Sequence, residues 1–129
     1  MIFLLLEEVL EIHARAIEEF GGFHGLLDEG RLMAALMAPQ NRYYYENVGL
    51  VGCAAAYAFH ITQAHAFLDG NKRTGAAATA AFIYSNDATW DPTKEQLVDV
   101  FLKIASGELP REQVENIFGR WIVLPSEAD

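Results

Sequence analysis

The sequence predicts an all-α fold, and three features carry that prediction. Two segments, Val48 to Gln63 and Thr74 to Tyr84, are small or apolar on every side, as expected of helices at the centre of a bundle rather than on its surface. The segments around them repeat their apolar residues at helical spacing. No stretch alternates apolar and polar residues as a half-buried strand would, and there is no internal repeat or low-complexity tract. A compact bundle of about six helices follows.

In chain order, Leu6, Val9, Leu10, Ala16, Ile17 and Phe20 form one apolar stripe, with Glu7, Glu8, Glu11, Arg15, Glu18 and Glu19 opposite; Gly21-Gly22 ends this helix. His13 lies on the stripe and reads as a packed, hydrogen-bonded core residue, outside any site. His24, in the glycine-rich stretch that follows, carries little information. Asp28 caps a shorter second helix to about Met37, with Leu32, Met33, Leu36 and Met37 inward, and Pro39 is expected to stop it. From Pro39 to Asn47 no helical period is evident, and three consecutive tyrosines, Tyr43 to Tyr45, suggest an exposed loop or short hairpin. Those tyrosines suit either clamping a ligand or extended polypeptide, or covering a core edge.

The two all-round apolar helices come next, joined by a few polar residues. Beyond them, Asp91 or Thr93 starts a helix with Leu97, Val100, Phe101 and Ile104 inward, closed at Gly107. Pro110 opens the last helix, with Val114, Ile117, Phe118 and Trp121 on one face. Residues 1–124 read as one domain and 125–129 as a short acidic tail.

Composition narrows the function. In 129 residues the formal charge is −9 and the pI about 4.8, which weighs against direct nucleic-acid binding, since phosphates need a basic face. The one cysteine, Cys53, sits in an apolar run; it permits no intrachain disulfide and reads as a buried, inert thiol. The apolar start Met1 to Leu6 is too short for a signal peptide and runs into Glu7-Glu8. The apolar runs fall short of the ~20 residues that cross a bilayer. A cytoplasmic protein without membrane contact is the expectation.

Between the central helices, His65-Ala66-Phe67-Leu68-Asp69-Gly70-Asn71-Lys72-Arg73-Thr74 gathers an imidazole, a carboxylate, a carboxamide and two cations. Each residue has an ordinary reading: Asp69 a cap, Gly70 a turn, Asn71 to Arg73 a polar first turn, His65 a packed loop residue. The combination is harder to explain that way, because Lys72 and Arg73 oppose the helix dipole unless an anion sits there. Phosphate suits both side chains and backbone N–H groups. Phosphoryl or nucleotidyl transfer would find Gly70 and Asn71 as cradle, Asp69 as a hard oxygen ligand for Mg²⁺, Lys72 and Arg73 as charge neutralisers, and His65 as a base titrating near neutrality. Phe67 reads as the loop's apolar anchor. On chemistry alone both accounts stay open, and the spacing of Gly70, Lys72 and Thr74 is not that of a P-loop. His60 and His65 do not make a zinc site, and no nucleophile elbow is present.

The run from His65 to Arg73 resembles the signature of the Fic/Doc family, with Lys72 like the Doc (death on curing) toxin branch, where the Fic branch usually has glycine. The helix ending at Gly21-Gly22, the Pro39-Gln40 segment and the turn Ser106-Gly107-Glu108-Leu109 are similar to Doc as well, so the likeness covers most of the chain. The resemblance implies a Fic-type bundle with the motif loop between its central helices. By likeness, His65 is the catalytic base acting on a Ser, Thr or Tyr hydroxyl of a target protein, Asp69 holds Mg²⁺, Gly70 and Asn71 cradle the anion of ATP, and Arg73 binds phosphate. The tyrosine-rich segment would occupy the place of the family's flap, which holds the target in extended form. Lys72 implies transfer of the γ-phosphate, that is, a protein kinase, rather than the AMP transfer of the Fic branch; a degenerate, non-catalytic member is the remaining alternative. In that branch the target class is the translation machinery, with elongation factor Tu the known example, and the outcome is growth arrest. Ala66 stands where many relatives have proline, a change in loop stiffness. The chain shows no inhibitory-helix pattern of the self-regulated members, so the resemblance implies a separate antitoxin whose tail folds as a helix near the site.

Overall fold

A computed structural model describes residues 1–125. Six helices dominate: α1 Leu6–Phe20, α2 Glu29–Glu46, α3 Leu50–Ala64, α4 Asn71–Ser85, α5 Lys94–Ala105 and α6 Arg111–Trp121. The all-α prediction holds. Two short strands, β1 Thr89–Trp90 and β2 Ile122–Val123, pair antiparallel and tie the chain after α4 to the end of α6. Two residues are too few for strand alternation to show in sequence.

α3 is the axis of the molecule and packs against α2, α4, α5 and α6. Gly52 to Ala58, Ile61 and Thr62 are buried on it, as its all-round apolar sequence requires. Small side chains let the neighbours approach closely: a methyl added at Gly75 on α4 would collide with the hydroxyl of Thr62. Phe82 of α4 is fully buried against Tyr57 of α3, ring centroids 4.8 Å apart. The Tyr57 hydroxyl accepts a hydrogen bond from the Leu4 amide (3.0 Å), and burial pushes this phenol up to about 12. The apolar N-terminal residues are thereby part of the core, with Leu4 buried and Asn86 bonding both backbone groups of Ile2. Among the described residues no helix is long and apolar enough to cross a membrane.

The caps follow the sequence. Asp28 accepts from the Arg31 amide, and Thr93 with Gln96 forms a reciprocal capping box that fixes the start of α5 at Thr93. The inward faces of α5 and α6 are those expected, with Val100, Phe101, Ile104, Val114 and Phe118 buried and Leu97, Ile117 and Trp121 packed at the edge. On α2, Leu32 and Leu36 point inward with Ala35, while Met33 and Met37 are exposed.

The inward placement expected of Met33 and Met37 is thus corrected, because the buried stripe of α2 runs through Leu32, Ala35 and Leu36, and a second expectation for this helix is overturned as well. Pro39 does not stop α2, and residues 39–46 are helix rather than loop or hairpin. An interior proline costs about 3 kcal/mol, and tertiary packing outweighs it here. Pro39 is itself buried, and its carbonyl faces the Cys53 sulfur at 3.6 Å. Three residues on, Arg42 is nearly buried and donates to the Gly52 carbonyl and to Glu115 (2.9 Å). Tyr43 packs edge-on against Phe3. The helix then ends at Asn47, which adopts the left-handed conformation at φ 60°. The tyrosines therefore ride on a helix and form no flap. The expected acidic tail falls mostly on residues 126–129, outside the described residues.

Candidate functional site

The motif begins where α3 ends. His65 is the C-terminal cap of α3, in the left-handed conformation (φ 47°, ψ 43°), and its side chain is exposed. A non-glycine residue there costs of order 1–3 kcal/mol, so the fold holds this histidine against a backbone preference. Ala66 and Phe67 turn inward and are buried. Asn71, in the first turn of α4, reaches back over four residues: its Oδ1 accepts from the Phe67 amide (3.1 Å) and its Nδ2 donates to the Phe67 carbonyl (2.9 Å). That pair of hydrogen bonds closes residues 67–71 into a ring. The Asn71 carboxamide is thus committed to shaping the loop, and only its backbone N–H faces the helix start.

Gly70 precedes α4 at φ +77°, and the first intrahelical bond runs from Thr74 N–H to Gly70 carbonyl. The amides of Asn71, Lys72 and Arg73 therefore have no helical partner, and among the described residues no side chain caps them. Lys72 and Arg73 are exposed, and neither belongs to an ion pair among the described residues. The Arg73 guanidinium lies over the ring of Phe20, 4.6 Å from its centroid. This gives Phe20, expected inward, its actual place at the edge of the site. The start of α4 thus presents open N–H donors, a positive dipole and two exposed cations, a combination suited to an anion.

Asp69 bridges two backbones. Its carboxylate accepts from the Gly70 amide (2.9 Å) and from the Phe23 amide (3.3 Å), and its carbonyl receives the His13 Nε2–H at 2.8 Å. Each carboxylate oxygen keeps acceptor capacity toward a cation. Among the described residues no cluster of three metal-ligating side chains exists.

The segment that flanks the motif is residues 22–28, which sequence reasoning read only as a helix stop and a cap. Leu27 and Asp28 N–H both donate to the Ala66 carbonyl (2.7 and 3.2 Å), and Leu68 N–H donates to the Gly25 carbonyl (3.0 Å). Leu26 and Phe67 make an antiparallel bridge. Along this segment Phe23 and Leu27 are exposed. At Gly22, φ +113°, the chain passes close to the Asp69 side chain: a Cβ there would lie 2.6 Å from Asp69 Oδ2. A Gly-Gly pair after a helix is a sufficient signal for a stop, and nothing in the sequence marks the second glycine as an approach to a carboxylate.

Two clefts flank Arg73. One, about 230 Å³, is lined by Lys72, Arg73, Ala76, Leu97, Val98, Phe101 and Leu102; the other, about 180 Å³, lies between α1 and α4. A concavity of about 390 Å³ lies elsewhere, between α2 and α3, and is lined by none of the motif residues. His60 lines it, its Nε2 facing Arg111 at 3.1 Å. Burial, then the Arg111 and Arg42 charges, holds this imidazole below its ordinary value. As pH falls through about 6.5 the unfolded chain takes up that proton first. Stability should drop, and His60→Gln should lose less stability than the parent between about pH 7 and 5. Thermal unfolding across that range checks this, with equal losses as the contrary result.

The helical bundle with a histidine-to-arginine loop at the start of a central helix defines the class. Residues 3–83 match the Fic/DOC family, more than half of the chain and the part that frames the loop, and the chain belongs to that family. Among its relatives is the Protein kinase doc of Escherichia phage P1, 30% identical over 115 residues, which are 88% of this chain and 90% of the relative.

Proposed function

We propose that the chain is a nucleotide-dependent protein-modifying enzyme of the Doc type, an ATP-dependent protein kinase that acts as a toxin. The observation that carries this is the start of α4, where Lys72 and Arg73 stand, without carboxylate partners among the described residues, beside open backbone amides and just after an exposed histidine. The relative's activity as a protein kinase points the same way.

In this reading the hydroxyl of a target side chain attacks the γ-phosphorus of ATP and His65 accepts its proton, while the bond from that phosphorus to the β–γ bridging oxygen breaks and ADP leaves. The amides of residues 71–73, Lys72 and Arg73 take up the negative charge of the transferring group. Asp69 would hold Mg²⁺, which supplies further neutralisation of the phosphates. The strand-like segment 22–28, rather than the tyrosines, is suited to hold the target in extended form, because its pairing with residues 66–68 fixes it beside Asp69. A translation factor resembling elongation factor Tu is the proposed target, growth arrest the consequence, and the cytoplasm the site of action. A separate antitoxin, docking a helix near the motif, is the proposed partner.

Lys72 sets which phosphate leaves. With Lys72→Gly, transfer from γ-labelled ATP to protein should fall by about tenfold or more, the loss of a charge-assisted phosphate contact. Undiminished γ-transfer would remove this role from Lys72.

A further inference from the structure

Three side chains of α1, His13, Ile17 and Phe20, fall on one side of that helix and all meet the motif loop or the first turn of α4. His13 is 4% exposed. Its ring stacks on Phe67, centroids 3.8 Å apart and planes 8° from parallel, while its Nε2 reaches the Asp69 carbonyl at 2.8 Å. A carbonyl only accepts, so Nε2 carries the hydrogen. Ile17 closes the floor: a Cβ on Gly70 would sit 3.0 Å from its Cδ1, and one on Gly22 3.2 Å from the same atom. Phe20 lies beneath Arg73.

We infer that His13 is a positioning residue for the transfer reaction, a role that rests on the function proposed for this site. Its single hydrogen bond fixes the orientation of the Asp69–Gly70 peptide. That peptide carries the carboxylate on one side and leads into the open amides of α4 on the other. A rotation of this plane moves both. The bond spans 56 residues of sequence and holds the carbonyl end of this peptide from outside the loop; among the described residues its amide end is bonded to the Asp69 carboxylate alone, and the ring that Asn71 closes at Phe67 makes no bond to it. His13 touches neither a phosphate nor a target hydroxyl, being buried behind Phe67. It acts only through Asp69 and the stacked ring.

His13→Phe keeps an aromatic ring on Phe67 and deletes the donor, whereas His13→Gln restores an amide N–H near the Nε2 position and deletes the ring. Both are compared with the parent by hydrogen exchange of the peptide covering residues 65–72, with α3 as internal reference, and by transfer from ATP labelled at the α or the γ position. Expected for His13→Phe are faster exchange confined to the loop and a fall in kcat of about 10- to 100-fold, as for residues that orient a ligating group, with KM for the target protein little changed. His13→Gln should recover most of the rate. Parental exchange or a parental rate in His13→Phe would overturn the proposal, as would His13→Gln no more active than His13→Phe. A parent that transfers neither label sinks the proposed function itself; the exchange comparison then still decides whether His13 holds the loop.

Discussion

His65→Ala should lower phosphate transfer to protein by about 10²- to 10⁴-fold, the contribution of a positioned general base, and should abolish growth arrest when expressed. The ring is exposed, so the loss is one of chemistry and not of core packing. The backbone complicates the variant, because residue 65 is in the left-handed region at φ 47°, which alanine tolerates poorly. His65→Asn separates the two effects, since asparagine adopts that conformation readily. Both variants should be inactive, and only His65→Ala should lose measurable thermal stability. A His65→Asn protein that still arrests growth as the parent does would favour a non-catalytic member that acts by binding.

Gly22→Ala carries the second large effect. At φ +113° a side chain is strained by about 1–3 kcal/mol, and its methyl would enter the space of the Asp69 carboxylate, 2.6 Å from Oδ2. Either segment 22–28 retreats or Asp69 turns away. A displacement of about 1 Å at a reacting centre costs about 10²-fold, so transfer should fall by that order while the helices still unfold cooperatively. Gly21→Ala is the control. It too has positive φ, at +86°, but no atom lies within 4 Å of the place its Cβ would take, so it shares the strain and lacks the collision. Equal activity in the two variants would show that strain alone matters and that the approach to Asp69 does not.

Sequence revealed the bundle because its signals are local. All-round apolarity marked α3 and α4, helical stripes marked α1, α5 and α6, and caps such as Asp28 and Thr93 marked beginnings. Its error at Pro39 arose because a breaker is a local signal too, whereas the packing that overrides it comes from Gly52, Cys53 and Glu115, distant in sequence. The site divides in the same way. His65 to Arg73 could be picked out because the polar residues are contiguous. What aligns them could not, since His13 reads as one more core position and Gly22 as the second half of a helix stop. Asn71 belongs to both groups: its place in the motif was legible, but the turn of its carboxamide onto Phe67 emerges only in three dimensions.

The central claim is that the phosphate taken up at the start of α4 is passed on to protein as phosphate. Purified protein incubated with bacterial extract and with ATP labelled at either the α or the γ position tests it most directly. The expected result is γ-label in a protein band, absent with His65→Asn. Label from the α position in that band, with none from γ, would make the enzyme an AMP-transferase and contradict it.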